Sequence, residues 1–351
     1  MSDGAFLDVC AGRQPTRTPV WFMRQAGRSL PEYRATRGTG SILDAIAQPE
    51  IAAEVTLQPV RRYGVDAAVL FSDIVVPLHA IGFGIDVIPG RGPVIDEPFA
   101  GAGDLKRLRP LEPEVDLAHV IETVHIVAKE LEASATPLLG FAGAPFTVAS
   151  YLVEGGPSKS FAKVKALMHT EPALFAALCD QLADLAVAFI GAQLDAGAVA
   201  FQVFDSWAGA LTPEDYGRFA LPSTKKVFAE LAPRGAPGIL FGVGTGELLV
   251  QMATSGAQVL GVDWRVPLDL ASARVGPLAL QGNLDPALCL APLEVAQDAA
   301  RDVLRRGAVA PGHIFNLGHG VLPETDPGIL GALVELVHAE GRSLATAAVS
   351  A

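Results

Sequence analysis

Eight short apolar blocks punctuate this chain with longer amphipathic stretches between them, and that alternation constrains the fold more than any single residue does. The blocks lie at 20–23, 67–71, 138–141, 198–204, 239–243, 259–262, 278–281 and 313–317, and are rich in Val, Leu, Ile and Phe. Apolar side chains run through each block without alternating with polar ones, which is the pattern of a strand buried on both faces of a parallel sheet. Between them lie stretches of helical periodicity. The clearest covers 171–196, where Leu174, Leu178, Leu182, Leu185 and Phe189 recur every three or four residues and Thr170 stands where an N-cap would. Thr212-Pro213-Glu214-Asp215 and Gln48-Pro49-Glu50 open further helices, each with proline at the first helical position and acids in the first turn.

Parallel strands need right-handed crossover helices, and eight β–α units in succession close on themselves around a filled core. The expected fold is therefore α/β, a single (β/α)8 TIM barrel spanning residues 1–351. A doubly wound open sheet is the competing architecture, weakened because no Gly-x-Gly-x-x-Gly follows the first block. The stretch 82–135, opening with Pro and Gly, reads as an excursion between the second and third strands.

Charge and composition exclude several roles. Lys and Arg number 26 against 38 Asp and Glu, a formal net charge of −12, which is the wrong sign for a nucleic-acid surface. The longest apolar zone, 182–201, is interrupted by Asp184, Gln193 and Asp195, so no membrane partner is expected. The first residues lack the basic and apolar regions of an export signal, and the expected location is the cytoplasm. Cys10, Cys179 and Cys289 are few and widely spaced, which suits reduced thiols and offers no thiolate cluster for a metal.

A barrel carries its active-site cleft at the C-terminal ends of its strands. Polar residues gather there: Arg24 and Arg28 after the first block, Ser72-Asp73 after the second, Asp205-Ser206 after the fourth, Asp263 after the sixth, Asn283 and Asp285 after the seventh, and Gly318-His319-Gly320 after the eighth. Tyr151 follows the third. Arg24-Gln25-Ala26-Gly27-Arg28 reads as an anion clamp, two planar guanidinium forks around small residues that let the backbone approach what is gripped. The plainer account of two arginines four apart is a solvated basic helix start. Asp285 before Pro286 has the look of a helix cap. Gly242-Val243-Gly244-Thr245-Gly246 lacks the Gly-Lys-Ser/Thr of a phosphate-binding P-loop and reads as a loop.

The segment Pro19-Val20-Trp21-Phe22-Met23-Arg24-Gln25-Ala26-Gly27-Arg28-Ser29-Leu30-Pro31-Glu32-Tyr33-Arg34 resembles the N-terminal signature of the uroporphyrinogen decarboxylase family. A second stretch, Gly140-Phe141-Ala142-Gly143-Ala144-Pro145-Phe146-Thr147 continuing to Tyr151-Leu152-Val153-Glu154-Gly155, is similar to that family's other signature, and matches continue to Gly320. The resemblance implies a carboxy-lyase that converts the four acetate side chains of a cyclic tetrapyrrole, uroporphyrinogen, to methyls without a cofactor or metal. It further implies a homodimer.

It also implies roles. Asp73 matches the aspartate that accepts hydrogen bonds from pyrrole N–H groups, where the plain alternative is a helix N-cap. Arg24 and Arg28, with Gln25, Ala26 and Gly27 between them, match the segment that binds substrate carboxylates. Tyr151 matches a tyrosine near the reacting acetate, Ser206 a hydroxyl that binds a carboxylate, and His319 a histidine able to bind a carboxylate or assist proton transfer. The proton donor is left open among Tyr151, His319, Arg24 and a water held by Arg24. Arg34, Arg37, His79, His119, His125, His169, His313 and His338 read as structural or solvated. Related methyltransferases of similar architecture hold zinc on a His-x-Cys pair, which this chain lacks; a non-catalytic tetrapyrrole binder would have no reason to keep Asp73 and Tyr151 together.

Overall fold

A computed structural model describes residues 4–38, 40–88 and 90–349. Seven parallel strands follow one another in chain order around one sheet: β1 (Ala68–Val69), β4 (Leu138–Gly143), β5 (Ala200–Asp205), β6 (Gly238–Gly242), β7 (Val259–Gly261), β8 (Ala279–Leu284) and β9 (His313–Leu317). The excursion between β1 and β4 contributes a separate antiparallel hairpin, β2 (Ile85–Ile88) with β3 (Gly92–Ile95). Helices alternate with the strands and cover the outside of the sheet.

The expected strand at 20–23 needs correction. Val20 makes only an isolated parallel bridge, to Phe315. Phe315 N–H donates to the Pro19 carbonyl (2.8 Å) and Trp21 N–H to the Phe315 carbonyl (3.3 Å). On the other flank, Asp66 N–H donates to Val20 O (2.8 Å), while the Asp66 carboxylate accepts from Val20 N–H (2.8 Å) and the Gln25 amide donates to Ala67 O (3.0 Å). Side chains thus replace ladder partners, and the segment still lies between β9 and β1, closing the (β/α)8 barrel.

Inside the barrel, buried polar groups answer one another. The Trp21 indole N–H donates to Gln281 Oε1 (2.9 Å), and Gln281 Nε2 donates to Gln202 Oε1 (2.8 Å). Below, the helix Ala5–Cys10 sets Phe6, Val9 and Cys10 into the core near β9.

The helix Pro172–Asp195 buries Phe175, Leu178, Leu182, Leu185 and Phe189. It is long and apolar enough to cross a membrane by length and composition alone, yet it packs against β4 and the helices Pro145–Glu154 and Leu221–Leu231 as part of the barrel's outer layer. Thr170 does not cap it. That residue ends the preceding helix, Ala162–Thr170, and its hydroxyl bonds back to Ala166 O (2.8 Å), so Glu171 and Pro172 start the long helix instead. Thr212 does cap, accepting from Asp215 N–H (3.1 Å) ahead of Pro213.

Candidate active site

The loop after the reduced first strand turns at Arg24, whose backbone lies in the left-handed region (φ 59°). Two contacts fix the turn. Val321 N–H donates to Met23 O (2.8 Å), joining this loop to the one after β9. A Cβ on Gly320 would stand 2.4 Å from Arg24 Cδ, so the glycine is what lets the arginine stem lie along that loop, beside His319. Arg24 and Arg28 are exposed, and neither forms an ion pair or side-chain hydrogen bond with a described residue. No described residue accepts from the backbone N–H groups of Ala26, Gly27 or Arg28 either. By contrast Arg34 is held on Arg28 O (2.6 Å) and Arg37 on Gly40 O (2.8 Å). The side chain of Gln25 belongs to the scaffold: it is fully buried, accepting from Phe22 N–H (3.0 Å) and donating to Ala67 O (3.0 Å).

Asp73 follows β1 and is not the N-cap of the short helix Val76–Ala80, a place taken by Val75; its Oδ1 accepts from Val75 N–H (3.1 Å) in the turn just before that helix. Burial raises the pKa of its carboxyl, while the Val75 N–H and the Arg24 guanidinium favour the charged form. Tyr151 sits on the helix Pro145–Glu154, begun by proline and ended at Gly155 in the left-handed conformation. Burial raises its hydroxyl pKa, with Asp73 pushing the same way and Arg24 opposing. His319, after β9, is drawn down to about 4 by burial first and the Arg24 charge second. Arg24 therefore sits within electrostatic reach of Asp73, Tyr151 and His319 at one end of the barrel.

Ser206 stands at the end of β5 beside Trp207, whose ring meets that of Tyr151 edge-on at 5.8 Å. On the other flank Trp264 meets His319 at 6.5 Å and carries the Arg265 guanidinium 4.0 Å above its ring.

Other strand-end polar groups serve the frame. Asp263 is buried, accepting from Gly244 N–H (2.6 Å) and pairing with Arg265. Asn283 donates to Asp263 O (2.9 Å) and Val266 O (2.6 Å). Asp285 caps, accepting from Ala287 N–H (2.9 Å). His338 pairs with Asp66 (2.7 Å) and His313 bonds to Gly282 O (2.8 Å), as structural histidines would. Cys10, Cys179 and Cys289 are buried free thiols, and no group of three or more His, Cys, Asp or Glu suited to a metal occurs among the described residues.

Two aromatic neighbours, Trp207 and Trp264, and Thr147, the buried partner of Asp205, were not legible as site parts. Thr147 falls within the second of the resembling segments and Trp207 directly follows Ser206, but nothing in their spacing says that they meet. A cleft of about 470 Å³ at the other end of the barrel, lined by Cys10, Val199, Phe201, Phe228 and Pro237, gathers few polar groups and is not where the chemistry converges.

Comparison with known proteins follows this geometry. The family described as uroporphyrinogen decarboxylase (URO-D) matches residues 1–340. A uroporphyrinogen decarboxylase of Salinispora tropica is 55% identical over 96% of this chain and 90% of its own length, and one of Streptomyces coelicolor is 57% identical over 96% and 95%. Among solved structures, a methyltransferase from Methanosarcina mazei covers 96% of this chain and 98% of its own with a TM-score of 0.78; at 20% identity it speaks for the barrel alone. With identity above half along nearly the full length, this chain belongs to the uroporphyrinogen decarboxylase family.

Proposed function

We propose that this chain is a carboxy-lyase that decarboxylates the four acetate side chains of uroporphyrinogen III to methyls, giving coproporphyrinogen III and CO2 in tetrapyrrole biosynthesis. Family membership carries the reaction, and one observation carries the assignment of the site: a partly buried carboxylate, Asp73, faces the field of an arginine that has no described acid partner. The substrate is a macrocycle with pyrrole N–H donors at its centre and carboxylates around its edge. Asp73 accepts from those N–H groups, and the forks of Arg24 and Arg28, with the N–H groups of Ala26 and Gly27, take peripheral carboxylates. Ser206 adds a hydroxyl for another.

The chemistry uses the ring as electron sink. A proton added at a pyrrole α-carbon gives a cationic ring; the bond from methylene to carboxylate then breaks, its electron pair enters the ring and CO2 leaves. A proton added to the exocyclic carbon makes the methyl, and loss of the α-proton restores the pyrrole. Asp73 stabilises the cation, an electrostatic term that grows toward the transition state. His319, drawn down to about 4, is neutral at pH 7 and so offers an N–H to a carboxylate rather than a ready imidazolium proton. Tyr151 presents its hydroxyl near the reacting acetate. No cofactor is needed for these steps. A homodimer in the cytoplasm, without nucleic-acid or membrane partner, completes the reading.

The test is an anaerobic assay with reduced uroporphyrinogen and no added cofactor. Coproporphyrinogen and CO2 are the expected products; an intact substrate after incubation with folded protein would remove the assignment.

A further inference from the structure

Behind the mouth runs a chain of contacts that the roles above leave unused. Thr147 and Asp205 are both fully buried. The Thr147 hydroxyl donates to Asp205 Oδ1 (2.7 Å), and its oxygen accepts the backbone N–H of Trp207 (3.1 Å). A hydroxyl has one proton to give, so fixing it on the carboxylate leaves the lone pairs for Trp207. The Trp207 ring then meets Tyr151 at 5.8 Å and Phe161 at 5.4 Å. The Trp207 side chain also favours the ionised form of the Tyr151 hydroxyl, against the burial that raises it. The β5 loop has one seat, because a side chain at Gly209 would meet the Val243 carbonyl at 2.2 Å.

Stability alone is a poor account of this arrangement. Asp205 Oδ2 and the Tyr216 hydroxyl, which feels the Asp205 charge, are both buried without a hydrogen-bond partner among the described residues. A buried carboxylate with half its acceptors unanswered costs folding free energy, and such departures from full satisfaction gather where a site must be held.

We propose that Asp205 and Thr147 are positioning residues, which act through Trp207 to hold the Tyr151 hydroxyl at the decarboxylation site. The proposal rests on the reading of Tyr151 given above. Neither residue touches substrate.

The experiment is a double-mutant cycle on the full chain, read as kcat/KM for coproporphyrinogen formation. Thr147→Val keeps the shape and removes the hydroxyl, and is expected to lower kcat/KM about tenfold, mostly in kcat, whereas Thr147→Ser restores it to within about twofold. In a Tyr151→Phe background the same Thr147→Val change is expected to cost less than about twofold, because the hydroxyl it serves is gone. Wild-type activity in Thr147→Val, or an equal loss with and without the Tyr151 hydroxyl, overturns the proposal. Inactivity of the wild-type chain would instead overturn the underlying function. Should Thr147→Val fail to fold, Thr147→Ala, which removes the same hydroxyl, takes its place in the cycle with the same expected and overturning results.

Discussion

The two ends of the barrel use the same residue types to opposite effect. At the end where the strands begin, Asp66 takes Arg17, His338 (2.7 Å) and the Val20 N–H (2.8 Å), so its charge is answered on every side. Where the strands end, Arg24 and Arg28 have no described acid partner, and Asp73 feels Arg24 without forming an ion pair with it. Paired charges cement loops; unpaired ones in a cleft keep their donors for a ligand. If that contrast is sound, substitutions at the two ends must separate activity from stability.

The largest effect is expected at the mouth. Asp73→Asn preserves shape and removes charge, and kcat/KM should fall by about 10²–10³-fold, the scale of losing one preorganised electrostatic partner. Burial raises the Asp73 pKa above its ordinary value, so the ionised carboxyl is a cost to the folded state at neutral pH that disappears on acidification. Thermal unfolding of the variant should therefore occur at or above the wild-type temperature. Near-normal turnover would dissolve the contrast from its active side. Asp66→Ala is the mirror experiment: stability in urea should drop by about 2 kcal/mol as Arg17, His338 and the Val20 N–H lose their acceptor, while kcat below the unfolding range stays put. Loss of kcat with unchanged stability would reverse the assignment of the two ends.

Arg28→Lys is expected to be milder. It retains the charge and forfeits the fork, so KM should rise about tenfold with kcat little changed, and raising ionic strength should raise KM by a similar factor in the wild type and the variant. Equal KM values would mean that Arg28 does not grip substrate.

What the chain discloses before folding follows the same division. Seven of the eight apolar blocks become strands because burial on both faces needs only local apolar composition. The block at 20–23 falls short because its partners are side chains remote in sequence, Asp66 and Gln25, which periodicity cannot register. Thr170 was misplaced for a related reason, two helices abutting so closely that a single residue, Glu171, is the C-cap of the first and the N-cap of the second. At the site, the arginines and Asp73 were legible through their place after apolar blocks and through family resemblance. Gln25 looked like part of the clamp from its neighbours, although its side chain serves the frame. Trp207 and Trp264 were silent, since edge-on ring contacts with Tyr151 and His319 depend on three-dimensional closure alone.

His319 offers the finest probe of the contrast, because it lies at the mouth yet is held by burial. Its pKa falls from 6.5 to about 4, through burial first and the Arg24 charge second. A depressed folded-state value means that the unfolded chain takes up a proton between those limits which the folded chain refuses. The contribution to stability is thus fully present above about 6.5 and lost as pH falls toward 4. His313, buried and drawn down to about 4 as well, behaves alike, so replacing one histidine removes only part of the slope. Urea midpoints measured at pH 5 and pH 7 should accordingly differ less in His319→Gln than in the wild type. With Arg24→Gln as background, the slope due to His319 should shrink but persist, since burial is the larger cause; its complete disappearance would make the arginine's field, not the enclosing barrel, the agent that keeps this imidazole neutral.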